Sequence, residues 1–160
     1  MRSSTASAER ELDAPIDAAW RTATLVSPVE HYSAFGPLPA VTAVHDQSGE
    51  WDEVGKTRTL ALSGGDSVAE TITDVSPNEF FAYDLSQFSG LFGKLVEGAR
   101  AEWDFWETSS GCGIRWTYTF HPRAGSSLAV ALIVRLVWAR YMRVTLAKLA
   151  LAAERESTKA

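Results

Sequence analysis

Through the middle of the chain, apolar and polar side chains alternate with a period of two, and from Ser126 onward the spacing changes to three and four. A period of two predicts half-buried strands, because successive side chains on a strand point to opposite faces. Residues 67–75 (SVAETITDV) and 114–121 (IRWTYTFH) show it most clearly. Residues 41–45, 56–62, 79–85 and 100–108 carry weaker versions, joined by connections that hold Gly, Asp, Ser or Pro. Together they predict an antiparallel meander of six strands. A seventh, weak strand is expected at 9–12. Behind it, Ala14-Pro15-Ile16-Asp17 sets a proline and an early carboxylate where a helix begins, and predicts a short helix through Trp20. Ser27-Pro28 starts a second short helical piece at 29–35, which Gly36-Pro37-Leu38-Pro39 stops.

Beyond Ser126 there is neither Gly nor Pro, and Ala and Leu dominate, so one long C-terminal helix is expected. Ala131, Val134, Trp138, Met142, Thr145 and Leu149 follow the spacing of a buried stripe. Arg135 lies beside that stripe, and either looks inward or lays its stem on apolar surface with its head in water.

The period of two also predicts which side chains share a face, since a slip of one residue would turn the whole set over. Pairing Glu107 with Ile114 sets Phe105 against Trp116, Trp103 against Tyr118 and Ala101 against Phe120 on an aromatic face. Trp106 and Arg115 then meet on the polar face as a cation-π pair. In the preceding hairpin, a Gly64-Gly65-Asp66 turn aligns Leu62 with Val68, Leu60 with Glu70 and Arg58 with Ile72. Two charges then fall on an apolar face, where Arg58 and Glu70 are diagonal neighbours. They either pair inside, as buried charges must, or reach solvent at a splayed sheet edge. If Val75 pairs with Phe80, the next strand sets Tyr83 opposite Ile72 and Leu85 opposite Glu70.

A chain of 160 residues suits one domain with a real core. Its net charge of -5 gives no electrostatic footprint for a phosphate backbone, so nucleic acid is not an expected partner. MRSSTASAERELDAP has no apolar signal core, and the longest apolar run, 128–134, is far short of the ~20 residues of a spanning helix. A cytoplasmic location is the expectation. One cysteine, Cys112, excludes an intrachain disulfide and a multi-cysteine zinc site, and its Ser-Ser-Gly-Cys-Gly setting predicts an exposed thiol in a turn. His31, His45 and His121 are scattered without metal-ligand spacing, and no nucleophile elbow or phosphate loop is visible, so neither metal nor cofactor is expected.

The chain resembles a known family in LDAPIDAAW, a strand-to-helix entry; in GEWDEVGKTRTLALSGG, a strand passage; in SVAETITDVSPNEFFAYDL, a glutamate-bearing strand and proline turn; and in GIRWTYTFHPR, a last strand. From about residue 8 to 153 it is similar to the START-related SRPBCC superfamily, and within it to the polyketide cyclase/dehydrase and lipid transport group. The resemblance implies an α+β helix-grip fold. A curved antiparallel sheet of about seven strands wraps round the long C-terminal helix, with two short helices after the first strand. It also implies a cavity between sheet and helix. Trp103, Phe105, Trp116 and Tyr118 would form its apolar wall, with Leu60, Ile72 and Leu85 on the same sheet face and Val134 and Trp138 from the helix. Arg58, Glu70 and Tyr83 would be the few polar groups that orient a guest. The segment 87–93, with two glycines and three apolar side chains, is either a hinged flap over the mouth or an ordinary packed loop.

Three functions follow from this reading. One is binding or transport of a hydrophobic small molecule, lipid or polyketide-like. The second is a cofactor-independent cyclase, aromatase or dehydratase in which Arg58, Glu70 and Tyr83 polarise and deprotonate a carbonyl substrate. The third is an interaction module, because LAVALIV at 128–134 is apolar all round and suits a homodimer or a membrane-surface contact.

Overall fold

The computed structural model describes residues 2–159. Seven strands, β1 (Ser4–Leu12), β2 (Val41–His45), β3 (Thr57–Leu62), β4 (Ser67–Ser76), β5 (Phe80–Ser86), β6 (Val96–Glu107) and β7 (Cys112–Pro122), form one antiparallel sheet. Their order is β1-β7-β6-β5-β4-β3-β2, so β2 to β7 are a meander and β1 returns to pair with the last strand. β1 is longer than expected, because the small residues of STASA extend its ladder with β7 to Ser4↔Phe120.

Helix α1 (Ile16–Thr24) begins after Pro15 and buries Ala18, Ala19 and Trp20. Its two inward threonines return their hydroxyls to Ala18 O and Trp20 O, so no donor is stranded. The helix expected at 29–35 is only a 3-10 turn, Pro28–Glu30. The chain must extend there instead, because Tyr32 O accepts from Val41 N and Phe35 bonds reciprocally with Leu38 across Gly36-Pro37. A short helix α2 (Gly90–Leu95) precedes β6. The C-terminal helix runs as α3 (Ser127–Ile133), a π-turn over Val134–Trp138, and α4 (Ala139–Thr158). Val134, Met142, Thr145 and Leu149 are buried as the stripe predicts; Trp138 is half-buried and Ala131 is exposed.

Faces are as the alternation predicts, but both hairpins sit two residues from the expected register. Glu107 pairs with Cys112, which sets Trp103 opposite Trp116, Phe105 opposite Ile114 and Ala101 opposite Tyr118. The four-residue loop thus pulls Cys112 out of the turn and into β7, where it is fully buried. Gly113 makes the closer register workable, since a side chain there would collide with the Trp106 indole lying across it. Trp106 still carries Arg115, 5.6 Å from its ring centre. In the β3–β4 hairpin the loop is Ser63-Gly64-Gly65, both glycines at positive φ, and Arg58 is directly opposite Glu70 with Leu60 opposite Val68. Between β4 and β5, Ile72↔Tyr83 and Glu70↔Leu85 pair as expected. A bulge at Ile72/Asp74 moves the turn end, so Val75 meets Phe81 rather than Phe80.

Candidate ligand-binding site

The concave face of the sheet and the long helix are filled differently at their two ends. Toward α1, Trp20 packs its ring against Phe81 at 5.8 Å and Phe105 at 5.2 Å. Trp103 stacks flat on Trp116, 4.7 Å between ring centres and 12° between planes, and is itself sealed. Toward α2 the same face stays open as a chamber of about 410 Å³.

Seven of the twelve side chains expected at a cavity share in its wall along the sheet: Arg58, Leu60, Glu70, Tyr83, Leu85, Trp116 and Tyr118; an eighth, Trp138, comes from the helix. Ile72, Trp103, Phe105 and Val134 do not reach it and are packed in the core. The first three share the inward face but lie where the core is packed, Trp103 under Trp116 and Phe105 under Trp20 of α1. Val134 sits in the π-turn, which packs toward β1. Trp138 is placed by its neighbours, with Tyr118 at 4.8 Å, Phe120 at 5.1 Å and Tyr141 at 5.0 Å. The lips are Leu38 and Pro39 on one side and Phe88, Leu91 and Phe92 on the other. The segment 87–93 is a packed element here: Gly93 lies so close to the Phe88 carbonyl that no side chain fits, and Phe92 rests on Phe88 and Phe120.

The polar groups converge at the inner end. Arg58 Nε donates to Glu70 Oε2 at 2.7 Å, with side chains 8% and 4% exposed. The guanidinium also lies 4.0 Å over the Trp51 ring and reaches Gln47 Oε1 at 3.5 Å. Burial pushes the Glu70 carboxyl above its ordinary range, while the charge and hydrogen bond of Arg58 pull it down. All four tyrosines of the chain, Tyr32, Tyr83, Tyr118 and Tyr141, line the chamber. Burial raises each phenol, that of Tyr141 to about 12, so all four keep their protons at neutral pH. A neutral phenol both donates and accepts, which suits an uncharged polar guest.

Tyr32, Trp51 and Tyr141 were not legible as site residues. Tyr141 had one available signal, its position three residues after Trp138 on the helix. Trp51 stood in a polar loop, GEWDEVGK, where an isolated tryptophan is itself unusual. Tyr32 had none. Among the described residues, no cluster of His, Cys, Asp and Glu has the geometry of a metal site, and no helix is long and apolar enough to cross a membrane.

A curved antiparallel sheet closed by a long C-terminal helix, with an apolar chamber between them, defines the helix-grip class. The chain belongs to the polyketide cyclase/dehydrase and lipid transport family, whose model matches residues 3–154. No curated protein matches the sequence. The fold is shared with norcoclaurine synthase from Thalictrum flavum (TM-score 0.68, 16% identity, covering 99% of this chain and 88% of that one). It is also similar to protein MLL2253 from Mesorhizobium loti (0.66, 16%, 94% and 97%) and to Ara h 8.0201 (0.63, 14%, 99% and 100%). At these identities the likeness is one of fold alone.

Proposed function

We propose that the protein binds and carries a hydrophobic small molecule with one uncharged polar end. The observation that carries this reading is the chamber: about 410 Å³, walled mainly by apolar side chains, with the Arg58–Glu70 pair at its inner end. That volume lies within the range of small-molecule pockets, and few convergent polar groups in an apolar wall are what orient such a guest. Glu70 Oε2 is taken by Arg58, and no other donor among the described residues reaches the carboxylate. A guest hydroxyl can therefore donate to it, and a guest carbonyl can accept from a phenol. Lipids and polyketide-like compounds have this chemistry. Native mass spectrometry of protein purified from its own host tests the reading. A stoichiometric organic adduct of low polarity is expected, and protein that comes out empty and also fails to bind fluorescent hydrophobes near 1:1 would sink it.

One feature favours a second reading, a cofactor-independent cyclase, aromatase or dehydratase. Glu70, its carboxyl raised by burial, stands one strand from the protonated phenol of Tyr83 on the same face, and together they can move a proton to and from a carbonyl substrate. Arg58 restrains that chemistry by favouring the charged carboxylate. Turnover of a polyketide mimic that Glu70→Gln abolishes without loss of binding would establish the enzyme; binding without turnover leaves the carrier.

A further inference from the structure

The α2 lip of the chamber and the adjoining start of the long helix carry the two most exposed large apolar side chains among the described residues. Leu128 is 75% and Leu91 74% exposed, and Leu132 and Leu136 are exposed by half or more. Leu91 also lines the chamber, as do Ile133 and Val137 beside these leucines, so the patch continues the apolar wall out to the surface. α2 and the entry to α3 are tied together here: Arg123 N donates to Leu95 O at 2.8 Å, and Arg123 Nε to Gly93 O at 2.7 Å. Leu128, Leu132, Leu136 and Arg140 are spaced by four, and the π-turn keeps them in line because its wider turn offsets the drift of an ordinary helix.

The charge around this patch opposes that of the molecule. The chain carries -5 overall, yet Arg123 to Ala153 holds five cations and none of the twenty acidic residues. Arg123, Arg135, Arg140, Arg143 and Lys94 of α2 are exposed, and none is ion-paired among the described residues. The acidic residue that lines the mouth is Asp66, set against Gly90 at the start of α2, where its carboxylate is engaged, accepting from Ser89 Oγ at 3.1 Å. Exposed leucines with unpaired cations along the same helix and on α2 are the pattern of a surface that sits in a lipid interface, apolar side chains dipping below the headgroups and cations on their phosphates.

We propose that this mouth docks on an anionic lipid surface, where the guest enters or leaves the chamber. A second copy of this chain is the poorer occupant, because a two-fold contact would bring the same five cations of both copies together. The passage of a guest rests on the carrier reading above; the docking itself does not, and the two are measured apart.

Co-sedimentation with vesicles of phosphatidylcholine alone, and of phosphatidylcholine doped with phosphatidylserine, tests the docking. Retention is expected on the anionic vesicles only, and is lost as salt is raised. Leu128→Ser/Leu132→Ser should abolish it, and each of Arg140→Glu and Arg143→Glu should weaken it by at least about fivefold. None of these residues lines the chamber, so all variants should still bind a fluorescent hydrophobe in vesicle-free solution. The docking proposal is overturned by no retention at low salt, by retention that these changes leave intact, or by a concentration-dependent dimer without retention. Vesicle retention by a protein that binds no hydrophobe would support the docking and remove the carrier reading instead.

Discussion

Arg58 and Glu70 are directly opposed on β3 and β4 and joined by a 2.7 Å hydrogen bond in the wall of the chamber, one guanidinium face covered by Trp51. Removing one partner leaves the other as a buried, uncompensated charge. Glu70→Ala or Arg58→Ala should each cost about 3–5 kcal/mol where the pair is dry, and much less where water fills the chamber. A double replacement, Arg58→Met with Glu70→Leu, should recover most of that loss in denaturant melts while weakening the fluorescent hydrophobe. Neutral behaviour of Arg58→Ala in both melts and probe titration would show that the pair serves neither stability nor binding.

The two tryptophans on opposite faces of β6 and β7 should respond differently to a guest. Trp116 lines the chamber, whereas Trp106 lies on the outer face against Arg115. A bound hydrophobe should quench tryptophan emission; Tyr118→Phe and Trp116→Phe should shift its affinity, and Trp106→Ala should leave it almost unchanged. Equal losses at Trp116 and Trp106 would contradict the faces assigned to these strands.

Cys112 should be inert in the folded protein. It is fully buried on β7, and burial pushes its thiol up to about 11, so almost no thiolate forms at neutral pH. A thiol reagent should label it only after denaturant unfolds the chain, at a rate that follows global opening. Rapid labelling of native protein at pH 7 would show that the end of the β6–β7 hairpin opens locally.

Two buried groups bias stability in opposite pH windows. His31 is buried and its imidazole is held below 6.5, chiefly by burial. Its neutral form is favoured in the fold, so its contribution is present above pH 6.5 and is lost as pH falls through the lowered value. Glu70 is raised above 4.5, so its contribution is present below 4.5 and is lost as pH rises through the raised value. Urea melts should therefore show His31→Leu flattening the loss of stability on acidification below 6.5. Wild type should lose ground to Glu70→Gln as pH climbs from 4.5. Parallel pH profiles of wild type and both variants would contradict these environments.

Strand faces were legible in the sequence, while the registers of the β3–β4 and β6–β7 hairpins were not, for one physical reason. Alternation depends on parity, and both hairpin registers differ from expectation by two residues, which preserves every face. The displacement comes from the turns. Ser63 rather than Asp66 belongs to the glycine loop, and Cys112 pairs with Glu107 instead of joining the turn. The aromatic character of the β6–β7 hairpin was plain, yet its tryptophans and phenylalanines divide between two jobs. Trp116 and Phe120 meet the chamber, while Trp103 and Phe105 are sealed in the core. Nothing in a strand's period tells how far along the sheet the space is already filled by α1. The helix expected at 29–35 failed for a related reason: the backbone of Tyr32 is needed by Val41 on the next strand.

The uneven filling of the sheet separates what holds the molecule together from what gives it a guest. At the α1 end, Trp20, Phe81, Trp103 and Phe105 leave no space, and substitutions there are paid in melting temperature. At the open end, Leu62, Leu95, Ile133 and Val137 border empty volume and are only partly buried, so a change of size alters the girth of the chamber with little loss of packing. One backbone can therefore be retuned from a slender guest to a broad one by exchanges at a few wall positions, its tolerance for novelty confined to these partly buried side chains at the open end.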